Sequence, residues 1–125
     1  MDMSSKPNPS KAASTVLTPE QAIEKYSSQV QAQPTAANYL ELGVAYYIAK
    51  RWDDAIQAFE KAVQLDGQQA FAHYYLGVLY AAKGERDKAN AALAKLLQVS
   101  SNPMLKQQAQ SRIPNIKSVA DLGAA

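Results

Sequence analysis

Cysteine is absent from the chain and histidine occurs once, at His73. Without cysteine there is no disulfide and no thiolate chemistry, and with a single histidine a zinc site would need an unusual set of carboxylates. Charge of one sign is also lacking: 13 Lys and Arg stand against 11 Asp and Glu, a net charge of +2 over 125 residues. That near-balance argues against nucleic acid as a partner, which calls for Lys and Arg concentrated on one face. Long apolar runs are missing too. The stretch Ala70 to Ala82 has His73 inside it and falls well short of the ~20 residues of a membrane span, so no direct membrane insertion is expected. Met1 to Thr15 is polar, carries Pro7 and Pro9 and has no apolar core of a secretory signal. The expectation is one soluble domain, cytoplasmic, large enough to bury a core.

What the chain has is repetition. Leu42-Gly43-Val44-Ala45-Tyr46 returns 34 residues later as Leu76-Gly77-Val78-Leu79-Tyr80. Asp53, Ala55, Ala58 and Lys61 return as Asp87, Ala89, Ala92 and Lys95, and Phe59 returns as Leu93. A fixed period of this size marks stacked supersecondary units, none of which can bury its apolar face alone.

Helix signals fill in the units. Residues 1–17 read as a disordered tail, poor in apolar surface. Thr18-Pro19-Glu20-Gln21 has the form of a capping box with proline in the first turn, starting a flanking helix in segment 18–34 that Pro34 stops. Thr35 caps a helix from Ala36 to Lys50 with Tyr39, Leu42, Gly43 and Tyr46 on one stripe. Asp53 is the expected cap of a helix from Asp54 to Leu65, which ends at Asp66-Gly67. The second copy gives Ala70 to Lys83, a left-handed Gly84, Asp87 as cap, and a helix from Lys88 to Val99. Asn102-Pro103 starts a capping helix over 103–113, with Leu105, Ala109 and Ile113 at four-residue spacing and a polar outer face. Residues 114–125 read as a flexible tail, with one more turn at Ser118 to Leu122.

These residues resemble the tetratricopeptide repeat family, whose 34-residue helix–turn–helix unit carries an aromatic, Leu-Gly and Tyr in its first helix and small–aromatic–small positions in its second. The aromatic place is Tyr39 and then His73, Leu-Gly is Leu42-Gly43 and Leu76-Gly77, and the tyrosine is Tyr46 and Tyr80. Unit one covers 36–69 and unit two 70–103. Leu96 replaces a small residue and His73 an aromatic, so unit two is the more degenerate. Ala22 and Tyr26 have the spacing of Ala55 and Phe59, as in the second helix of an earlier unit. The resemblance implies an all-α fold, a short right-handed α-solenoid of stacked antiparallel helix hairpins, and a non-enzymatic protein-interaction module such as an adaptor, scaffold or assembly factor. No cofactor is expected.

The first helix of each unit lines the concave side of such an array. Leu40, Val44, Tyr47 and Ile48, with Phe71, Tyr74, Tyr75 and Val78 in the second copy, are apolar beyond what packing inside a unit requires. Two readings of this face stand side by side. It binds an apolar peptide or amphipathic helix of another protein, or it fills the superhelix and, with so few units, serves as a homo-oligomer contact. A further expectation is that Val16 and Leu17 fold the N-terminal start into the groove as a lid. The Lys, Asn and Arg clamp by which some relatives hold acidic C-terminal tails is missing, since Leu40, Val44 and Tyr75 stand in its place. Catalysis has no residue set: His73 sits at a packing position, Asp53 and Asp54 are explained by the helix dipole, and Ser27-Ser28 and Ser100-Ser101 lie at helix ends without a base nearby.

Overall fold

The structure, a computed structural model, describes residues 16–123; the N-terminal segment expected to be disordered falls, up to residue 15, outside them. Among the described residues there are six α-helices and no strand: α1 Pro19–Ala32, α2 Ala36–Ile48, α3 Trp52–Leu65, α4 Ala70–Ala82, α5 Arg86–Val99 and α6 Pro103–Arg112. Each packs against the next, α2 with α3 and α4 with α5 forming the two closest pairs. Thr18 and Gln21 close the capping box at α1, and Thr35 caps α2 through the Asn38 amide. Asn102 caps α6 by accepting from the Met104 and Leu105 amides.

Two helix starts differ from the sequence expectation. α3 and α5 begin two residues early, with Arg51 and Glu85 in the cap positions, so Asp53 and Asp87 lie in the first turn and do not cap. The cause is the way the preceding helix ends. The Arg51 amide donates to the Tyr46 carbonyl and the Glu85 amide to the Tyr80 carbonyl, both at 2.9 Å, closing α2 and α4 so tightly that the next helix follows at once. The acidic side chains keep their favourable place near the positive helix end.

That tight turn needs one left-handed residue. Gly84 provides it in unit two with φ 80°; Lys50, 34 positions earlier, adopts φ 63° despite its side chain. Left-handed backbone costs a non-glycine residue about 1 kcal/mol. Lys50 is exposed, so Lys50→Gly should raise the unfolding free energy by about 0.5–1 kcal/mol in urea titrations.

Inside each pair the glycine admits a neighbour. A β-carbon on Gly43 would lie 2.6–2.8 Å from the Phe59 ring, and Phe59 is fully buried. In unit two, Leu93 is only half-buried, and the group pressed on Gly77 is the Ile113 side chain, 2.6 Å from the same hypothetical β-carbon. An element from outside the unit thus supplies bulk that Phe59 supplies within unit one.

The C-terminal segment departs most from expectation. Residues 114–123 do not hang free: Ile116 and Leu122 join Ile113 in the core, and two 3₁₀ turns, Ile113–Asn115 and Val119–Asp121, lie against α4. Arg86 anchors the strap by donating to the Ile113 carbonyl at 3.0 Å and the Ile116 carbonyl at 2.8 Å. It runs back as far as the α2–α3 turn, where Gly123 approaches the Lys50 ammonium. Ile113 continues the four-residue spacing of Leu105 and Ala109, but Ile116 and Leu122, six residues apart in a polar segment, have no helical or strand period, so periodicity could not reveal them.

Candidate functional site

The apolar first-helix residues separate into two groups. In α4, Val78 is fully buried and Tyr74 is 6% exposed, so neither offers surface to a partner. Tyr74 accepts a hydrogen bond from the Arg112 guanidinium at 2.9 Å, and the same group reaches Tyr47 at 3.5 Å. Tyr75 is half-buried, stacked on Phe59 with centroids 4.9 Å apart and edge-on to Tyr47 at 5.1 Å. Burial, reinforced by Tyr47 and Tyr74, pushes the Tyr75 phenol above its ordinary value, partly offset by Arg112. Tyr47 also meets Trp52 edge-on at 5.4 Å. These rings knit unit one to unit two. Phe71 is half exposed and lies at the start of α4, away from the groove described next.

Leu40, Val44 and Ile48 are placed differently. They lie on α2 beside α1 and line an open groove of about 420 Å³ with Leu17, Ala22 and Tyr26. Ile48 is 62% exposed, and Leu40 and Val44 are half-buried. Glu41 is the single charged residue of the lining. Of the eight residues singled out on sequence grounds, the structure brings only these three together around an open apolar surface. Leu17, Ala22 and Tyr26 complete the wall. The equal spacing of Ala22–Tyr26 and Ala55–Phe59 was the signal that could have found them, since it marks α1 as a second helix without its first.

Arg112, missed on sequence grounds, places a guanidinium over the tyrosines of the first helices. A lone arginine at the end of a short helix carries no pattern that would point there. His73, by contrast, is buried and hydrogen-bonds the Gly67 carbonyl through Nε2 at 2.9 Å. That bond ties α4 to the turn before it and accounts for the imidazole structurally. Among the described residues no helix is long and apolar enough to cross a membrane.

Comparison with known proteins agrees with this geometry. A family described as "TPR repeat" matches residues 43–84, and one described as "Tetratricopeptide repeat" matches residues 71–102. The chain is also similar to the TPR repeat-containing protein MJ1428 of Methanocaldococcus jannaschii, with 28% identity over 79 residues. That match takes in 63% of this chain and 14% of the relative, so the chain spans a small part of that protein's length.

Proposed function

Because the chain belongs to the tetratricopeptide-repeat family, whose members are generally protein–protein interaction modules, we propose that it is a non-enzymatic adaptor or assembly module taking an apolar or amphipathic segment of another protein into the α1–α2 groove. One observation carries the reading: Leu40, Val44, Ile48, Leu17 and Tyr26 converge on an open apolar groove, while Tyr74, Val78 and Ala82, the counterparts of Leu40, Val44 and Ile48 one unit later, are buried. Apolar surface gathered this way beside a rigid helix pair is the ordinary form of a helix-in-groove site.

The test is capture from the source lysate by the wild-type chain and by Ile48→Asp. Ile48 is exposed, so the variant keeps the fold. A charge at the groove wall should lower retention of the captured protein about tenfold; unchanged retention overturns the reading. Sizing of the wild-type chain alone separates this reading from self-association, in which the groove would close between copies and Ile48→Asp would release monomer.

A further inference from the structure

We propose that the groove is an unfilled first-helix position of the array, and that its occupant is an amphipathic helix of another protein with a small residue at the crossing with Tyr26 and a lysine or arginine four positions later, facing Glu41. The proposal rests on the reading of the groove as an interaction site and adds its register and chemistry.

The occupant can be read from the next position along. Helices α1, α3 and α5 start at Pro19, Trp52 and Arg86, and Ala22, Ala55 and Ala89 share one place in them. Tyr26 then corresponds to Phe59. Between α3 and α4 the position is filled by α2: Gly43 lies under Phe59, and Tyr47, four residues on, packs against Tyr75. The α2 residues Leu40, Glu41, Val44, Ala45 and Ile48 correspond to Tyr74, Tyr75, Val78, Leu79 and Ala82 of α4. Four of those five α4 residues are buried, and Tyr75 is held between Phe59 and Tyr47. One unit earlier the same surface stands open, and Tyr26 is half-buried where Phe59 is fully buried.

Two exchanges define what fits. Tyr75 becomes Glu41, so the side chain that replaces Tyr47 in the occupant meets a carboxylate, not a ring; Glu41 is exposed and makes no ion pair among the described residues. A lysine or arginine matches it. On α1, Lys25 and Gln29 stand where α3 has the buried Ala58 and Ala62. A permanently buried helix would leave those polar groups without water, at a cost of a few kcal/mol each. An amphipathic helix that comes and goes, with its polar side toward Lys25 and Gln29, avoids that cost.

The probe is a synthetic peptide of residues 35–49 carrying Tyr47→Arg and, on the side that faces the Ala58 place in α3, Leu42→Gln and Tyr46→Gln, titrated by fluorescence anisotropy against the full chain. Glu41→Lys in the chain should weaken it about tenfold, and a peptide carrying Tyr47→Glu should regain that factor on the Glu41→Lys chain. Gly43→Leu in the peptide should also cost about tenfold, because the crossing with Tyr26 closes. Equal binding to wild-type and Glu41→Lys chains, indifference to Gly43→Leu, or no binding overturns the proposed register, while capture from the lysate that is lost with Ile48→Asp leaves the interaction reading in force. A rise in probe affinity on deleting residues 1–15 also overturns it, since the chain's own start would then hold the groove.

Discussion

Phe59→Ala should lower the unfolding free energy by about 3–5 kcal/mol, the usual cost of emptying a fully buried phenylalanine site. The ring is completely covered, pressed on Gly43 from one side and stacked on Tyr75 from the other. Its removal leaves a void under α2 and deprives Tyr75 of its stacking partner, so it loosens both the unit and the joint to the next. For a small domain of total stability about 5–15 kcal/mol, that is a large share. Tyr26→Ala, at the matching place in α1, should cost about 1 kcal/mol or less, because among the described residues no first helix precedes α1 to cover the half-buried ring. Urea unfolding followed by far-UV circular dichroism measures both. Equal losses at the two positions would mean that the groove beside Tyr26 is closed in solution.

Ile113→Ala should be the second large loss, about 2–5 kcal/mol. Ile113 is fully buried and fills the space over Gly77, and its carbonyl accepts from Arg86. Leu122→Ala should follow at the lower end of that range, since Leu122 is 5% exposed. Val119→Ala, on the exposed side of the same strap, should stay within about 0.5 kcal/mol of wild type. A free C-terminal tail would show no loss at Leu122, so urea midpoints for these variants distinguish packed strap from free tail.

The strap and the groove also show where sequence patterning stops. The 34-residue echo, the helix caps at Thr18, Thr35 and Asn102 and the left-handed Gly84 were legible because each is a local property: a spacing, a side chain beside a free amide, a residue without a β-carbon. The starts of α3 and α5 were misplaced by two residues because the bond that closes the preceding helix competes with the acidic cap, and no pattern of side chains reports it. For the groove, the sequence by itself placed Leu40, Val44 and Ile48 on one face, and Tyr74, Val78 and Ala82 on the corresponding face one unit later. Only the tertiary structure decided that the first trio is open and the second buried. The two faces have the same period, so the difference lies in what stands beside them. α4 has α3, the strap and, through Tyr47 against Tyr75, α2 as neighbours, while α2 has α1 on one side and no first helix before it among the described residues. Periodicity tells which side chains share a face; burial depends on which other element reaches that face, and that is settled by contacts between residues far apart in the chain.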